Sequence, residues 1–297
     1  MPNAGTLSPS MRSIAAMSLA AVILTVHDTG TKLLLEHYAI TQLVTLRQSF
    51  SLILLLFIVQ FTTGWGALRI VNKPAVGLRM ILFISTTVLI VASLRVLPLP
   101  TVLALVFASP LVVGSLSGPF LGERVGPVRW AAILVGFVGI LIILQPGSPG
   151  FELLLLLPVA AALSSGVRDL VTRWAGRTDS ALAILFWSNV AVVVAGLCTV
   201  PFEWVEVQPL HYLAFMAVAL LNTAAHYLMI YALSAGDAAL ISPFRYTALV
   251  WAVVFGYLVW SHVPEVWTIV GSCIVVLSGV VMALREARAA RLKRQRN

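Results

Sequence analysis

The feature that most limits what this chain can become is a recurrent run of apolar residues about as long as a bilayer is thick. Such runs lie near 12–35, 39–61, 76–97, 100–121, 128–145, 152–173, 181–200, 210–233, 238–260 and 265–284, and about 20 residues suffice to cross as a helix. Leu153 to Ala162 is apolar on every face, unlike the alternating strands of a membrane barrel. Inside lipid each backbone N–H and C=O must be bonded within its own segment, so the predicted fold is all-α and integral to the membrane, with ten transmembrane helices. With 60% of 297 residues hydrophobic and 10% charged, little chain remains for a soluble domain. No G-x-x-x-x-G-K-[ST] motif offers nucleotide-driven work, so energy must come from a gradient. Cys198 and Cys273 sit within apolar runs, which predicts no disulfide, no metal and no cofactor. The first run carries Asp28 and Lys32 where a cleaved signal would have small residues, and it reads as a retained helix.

The formal net charge of +8 would suggest a nucleic acid partner for a soluble protein; here its distribution follows membrane orientation, and no nucleic acid is expected. With the N-terminus in the cytoplasm, fourteen of the 19 Lys and Arg residues fall on that side, six of them in the tail from Arg285 to Arg296. Glu203, Glu206 and Glu265 fall opposite. Both termini are therefore expected in the cytoplasm, in the cytoplasmic (inner) membrane. Trp130 and Trp174 at one interface and Trp204, Trp260 and Trp267 at the other suit the aromatic belts.

The two halves echo each other. His27-Asp28-Thr29-Gly30-Thr31-Lys32 in the first span matches Arg168-Asp169-Leu170-Val171-Thr172-Arg173 in the sixth at an offset of 141. Leu121-Gly122-Glu123 through Gly139 matches Trp260-Ser261-His262 through Gly279 at an offset of 139 to 140. Each unit then holds five helices, residues 1–147 and 148–297, and an odd number forces the second copy to enter from the opposite side. This is an inverted repeat, a device of secondary transporters.

The stretches from Pro110 to Arg124 and from Trp130 to Gly139, the Asp28/Lys32 pair, and the segments Pro243 to Leu249 and Val263 to Gly271 resemble the drug/metabolite transporter (DMT) superfamily, EamA type. Within it the chain is similar to bacterial amino-acid and metabolite exporters of the YddG kind. The resemblance implies two EamA repeats and a central cavity lined mainly by the first, third, fourth, sixth, eighth and ninth spans. One departure is His262, standing where the family's second repeat usually has a glutamate.

A charge at the centre of a span costs about 2.5 to 3.5 kcal/mol, so the in-span charges must face protein or water. Asp28 with Lys32, and Arg168 and Asp169 with Arg173, are candidate gate or coupling groups, joined by Glu123 and His262 at the repeat ends. The competing reading for each Asp is an i,i+4 ion pair near an interface. Asn222 and His226, one turn apart, are candidates for a substrate cavity. So are Tyr246, Ser85, Thr86, Ser164 and Ser165, with Phe107, Phe244 and Trp251 as apolar wall. Hydroxyls in spans also bond their own i−4 carbonyls, and the aromatics can merely pack. Arg47 reads as a structural cation bridging helices. Pro110 and Pro243 are expected to interrupt the fourth and ninth spans, and the glycines at 114, 118, 136, 139, 271 and 279 to permit close helix contact.

These features predict a carrier of small polar or zwitterionic metabolites, with amino acids and export favoured. Its partners would be the substrate, membrane lipids and a proton as candidate coupling ion, with no obligate protein partner. The alternative is an uptake carrier for another metabolite: a vitamin, a nucleoside or a compound like S-adenosylmethionine. An intramembrane enzyme is the reading from another class, and it lacks H-E-x-x-H, G-x-S-x-G and paired catalytic aspartates at one depth.

Overall fold

The computed structural model describes residues 9–121, 126–147, 152–235 and 242–296, and all the regular structure within them is helical. In chain order the helices are α1 (Pro9–Leu34), α2 (Ile40–Ile58), α3 (Lys73–Val96), α4 (Leu99–Val106), α5 (Ser109–Leu121) and α6 (Pro127–Leu144). The second half supplies α7 (Leu156–Ala175), α8 (Ala181–Leu197), the short α9 (Val200–Glu203), α10 (Pro209–Ala235), α11 (Thr247–Trp260) and α12 (Val266–Arg296). Seven helical segments are long and apolar enough to span a membrane, α4 and α5 counting as one, and three apolar helices are shorter. Large apolar side chains such as Phe57, Phe61, Phe137, Phe202 and Leu258 are exposed on the outside, as befits a surface solvated by lipid. The protein is a multi-pass membrane protein.

Proline sets the two irregular points. α4 ends at Val106 and α5 starts at Ser109, because Pro110 has no N–H to offer the carbonyl one turn back. Pro243 lies in a 3-10 turn, Ser242–Tyr246, from which α11 departs. α12 runs past the expected 284 to Arg296, since the Ala, Arg, Leu and Lys residues there are good helix formers without a breaker.

Helix pairing carries a pseudo-twofold pattern. α1 packs along α10 and α3 along α7, while α6 pairs with α12 and α2 with α8. Exchanging each helix with its counterpart in the other half maps the first two pairs onto each other and the last two onto themselves. The α6–α12 contact depends on glycine: a Cβ added at Gly271 would lie 2.5 Å from the Gly139 carbonyl oxygen.

The largest apolar core joins Leu34, Leu43, Leu94, Leu97, Leu99, Val102, Leu103, Phe215 and Val218 toward the end of the bundle marked by Trp260. That end also carries polar contacts. Lys32 Nζ donates to the carbonyls of Leu94 at 2.5 Å and Leu97 at 2.6 Å, at the C-terminus of α3, where a cation is favoured. The same ammonium stands 5.5 Å over the Trp260 ring, whose Nε1 donates to Glu36. At the opposite end Asp179, between α7 and α8, accepts the N–H groups of Val71 at 2.5 Å and Asn72 at 3.0 Å.

Candidate functional site

A cavity of about 300 Å³ lies where the α4–α5 break, α7, the 3-10 turn and α12 meet. The break presents Phe107, Ser109, Pro110 and Val113, α7 presents Asp169 and Arg173, and the rest of the wall is Arg245, Tyr246, Gly279 and Met282. Arg173 stands in the last turn of α7, so the cavity belongs to the half of the bundle nearer Asp179. The Phe107 and Tyr246 rings meet edge to face with centroids 5.5 Å apart, a favoured aromatic geometry. Tyr246 takes this position because residue 279 is glycine: a Cβ there would fall 1.8 Å from the phenol oxygen.

Charges surround this space. Arg168 Nη2 holds Asp169 Oδ1 at 3.1 Å and Ser165 Oγ at 2.9 Å. The Asp169 side chain keeps 45% of its surface accessible. Arg79 donates Nε to Thr172 Oγ1 at 2.8 Å and Nη1 to Ser188 Oγ and the Ile184 carbonyl. The Arg79 and Arg168 guanidiniums both stand over the Phe83 ring, 5.5 and 6.0 Å from its centroid.

In the first half the aspartate is sealed. Asp28 Oδ1 is 3.0 Å from His27 Nδ1, and its side chain is 12% accessible. Arg47 Nη1 approaches His27 Nε2 at 3.2 Å. A guanidinium only donates, so Nε2 must accept and the imidazole proton resides on Nδ1, donated to Asp28. His226 is solvent-exposed, yet His27, Arg168 and Arg245 all lie within its electrostatic reach; its exposure therefore faces the interior of the bundle. Its Nδ1 bonds the Asn222 carbonyl at 2.8 Å, an i−4 bond.

Two expected pairings are corrected. Asp28 pairs with its neighbour His27 and not with Lys32, because Lys32 reaches the α3 carbonyls. Asp169 likewise pairs with Arg168 and not with Arg173, which joins the cavity wall. Among the hydroxyls, Thr86 and Ser164 bond each other at 2.9 Å across α3 and α7, and Ser165 serves Arg168. Ser85 is half-buried. Phe244 packs against the cluster of Ala16, Met17 and Ala232, and Trp251 is 37% exposed beside Phe255. His262 donates its backbone N–H to Gly256 O, and its Nδ1 is buried with no partner among the described residues. Glu123 lies outside the described residues. Sequence reasoning missed the roles of Asp179 and Arg79 and the lining role of Gly279 and Met282. Their signals exist only across the two halves. Asp179 is the clearest electrostatic case outside the spans: the Val71 N–H, the Thr178 hydroxyl and the Asn72 N–H hold its carboxyl below the usual carboxylate range.

Two pseudo-symmetric halves around an aromatic, charge-lined cavity define a membrane transporter of small molecules. Comparison with known proteins gives the family. The model of the EamA-like transporter family matches residues 11–145 and again 152–284, and the chain belongs to that family, within the drug/metabolite transporter superfamily. It is 32% identical over 202 residues to a riboflavin transporter of Rhizobium johnstonii, covering 68% of this chain and 67% of that one. It is 25% identical over 247 residues to an S-adenosylmethionine uptake transporter of Rickettsia conorii, covering 82% and 83%. A solved crystal structure, 18% identical, shares the fold with a TM-score of 0.64 over 95% of this chain and 98% of that one.

Proposed function

We propose that the protein is an uptake carrier of the cytoplasmic membrane for a neutral or anionic flat heteroaromatic metabolite, of which riboflavin is the first candidate. The single observation that carries this reading is the edge-to-face Phe107–Tyr246 pair beside Arg245 in the cavity. A ring system stacks on the aromatic faces, its carbonyl and ring-nitrogen acceptors take guanidinium N–H donors, and Asp169 accepts from hydroxyls of a polyol tail. Arg173, Arg245 and Arg168 against Asp169 leave the surroundings net positive, which disfavours a sulfonium cation. The relatives' names support the uptake alternative over amino-acid export, which the sequence alone favoured. S-adenosylmethionine is the second reading, supported by the accessible Asp169 carboxylate.

The carrier, and not an enzyme, has ten spans in two five-helix units meeting at 147/148, with both termini cytoplasmic. The cavity nearer Asp179 then faces the cytoplasm, the Trp260 end is the sealed outer gate, and alternating access exchanges the two. The test is counterflow in proteoliposomes with labelled riboflavin, S-adenosylmethionine and aromatic amino acids. Exchange of riboflavin is expected. Exchange of S-adenosylmethionine alone would move the reading to the second candidate, and exchange of amino acids alone would restore the first expectation from sequence.

A further inference from the structure

The two intramembrane aspartates occupy equivalent positions but have different chemistry. At the offset of 141, His27 corresponds to Arg168, Asp28 to Asp169 and Arg47 to Ser188. In the second half a guanidinium sits directly on Asp169, and Ser188, where the first half has Arg47, accepts from Arg79. An arginine stays charged throughout, so this is a permanent ion pair, and its half-accessible carboxylate faces the cavity. In the first half a neutral imidazole separates carboxylate from guanidinium. Among the described residues no arginine or lysine bonds the Asp28 carboxylate directly; Arg47 bonds His27 instead. Next to it, within one turn of α2, Arg47 Nε, Gln48 Oε1 and Ser51 Oγ are buried with no partner among the described residues. Polar atoms buried in that way are satisfied by water, the medium a proton needs.

We propose, building on the carrier reading, that proton exchange is confined to the first half: Asp28 binds and releases one proton per cycle, while Asp169 serves the substrate as a fixed anion. In the state open at the Trp260 end, water reaches Asp28. A hydronium ion gives up its proton, an O–H bond forms on the carboxylate, and water is left. When Arg47 again bonds His27 and His27 the carboxyl group, the O–H bond breaks and water takes the proton toward the cavity past His226. Arg47 from α2 faces the pair directly, His226 from α10 lies within reach of His27, and Arg168 from α7 and Arg245 from the 3-10 turn lie within reach of His226 in turn.

Two measurements on the full chain in proteoliposomes test this. Dicyclohexylcarbodiimide adds to protonated carboxylic acids in membranes, and peptide mass spectrometry locates the adduct without any variant or substrate. A label on Asp28 that declines as pH rises, exceeding that on Asp169 by at least about fivefold, is expected. A label on Asp169 alone, or none on Asp28 at any pH, overturns the proposal. In the second measurement wild type accumulates labelled riboflavin faster under an inward proton gradient, and Asp28→Asn takes it up equally with and without the gradient. Gradient-driven accumulation that survives Asp28→Asn, or wild-type uptake that ignores the gradient, overturns it too. A protein that labels at Asp28 and carries no riboflavin sinks the substrate reading alone.

Discussion

Tyr38 and Asp179 stand 141 positions apart and perform the same task at opposite ends of the bundle. Each binds backbone N–H in the loop that leads into the third long helix of the other half. Asp179 accepts from Val71 and Asn72 ahead of α3. Tyr38 accepts from Gln208 ahead of α10 at 3.3 Å, its hydroxyl also meeting His211 Nδ1 at 2.7 Å. The repeat is thus preserved in function of position and not in residue type: a carboxylate at one end, a phenol at the other. Asp179 is the one whose hydrogen bonds hold a carboxyl below the usual carboxylate range.

Asp179 accordingly gives stability a pH dependence. Its folded pKa is depressed, so its contribution is present above the unfolded carboxylate pKa and is lost as pH falls through the lower folded value. Asp179→Asn is expected to unfold at lower temperature than wild type at neutral pH, with the gap closing in acid. Thermal unfolding in detergent across pH measures it, and a gap independent of pH contradicts the latch.

Lys32 ties α1 to the C-terminus of α3 through two charge-assisted bonds to carbonyls, which is what an outer gate at the Trp260 end requires. Such bonds are worth about 1.5–3 kcal/mol each, so Lys32→Met should shift the open fraction at that end by roughly tenfold or more. Cys198 and Cys273 are free and exposed and are first replaced by serine. A cysteine at Leu103, now 6% exposed, should then react with an impermeant maleimide faster in Lys32→Met. Equal reactivity in both backgrounds would remove Lys32 from the gate.

Gly279→Ala forces the Tyr246 phenol off its seat, because the new Cβ and the hydroxyl cannot coexist at 1.8 Å. Overpacking of this kind costs about 1–3 kcal/mol. Riboflavin affinity should fall by about tenfold or more, and adding Tyr246→Phe should recover part of it by removing the oxygen. Unchanged affinity in Gly279→Ala would separate Tyr246 from the substrate.

Much of this architecture is legible in one dimension because lipid leaves the backbone few options. The apolar runs, the breaks at Pro110 and Pro243 and the echo of His27-Asp28 by Arg168-Asp169 all depend on local chemistry. Phe107, Asp169, Arg173 and Tyr246 do meet around one cavity. The partners of Asp28 and Asp169 were not legible: i,i+4 spacing offers each a cation, but the carbonyls ending α3 compete for Lys32, and only the fold brings them near. Thr86 and Ser164 read as candidate lining hydroxyls, and the bond between them across α3 and α7 is visible only in the fold. Gly279 looked like a packing glycine, and only the turn holding Tyr246 reveals whose atom fills the space.

The orientation has its own check. Reporter fusions after Asn297 and at Glu206, between α9 and α10, should place the first in the cytoplasm and the second outside. The opposite assignment would turn the cavity outward and reverse the two gates.

The most direct measurement is flavin fluorescence on titrating the purified protein, since a flavin stacked on aromatic rings is quenched. Saturable quenching is expected with wild type, at least about tenfold weaker with Tyr246→Leu and with Arg245→Gln, and little relieved by an excess of S-adenosylmethionine. Quenching of the same strength in all three proteins, or none at all in wild type, would contradict a flavin site between Phe107, Tyr246 and Arg245.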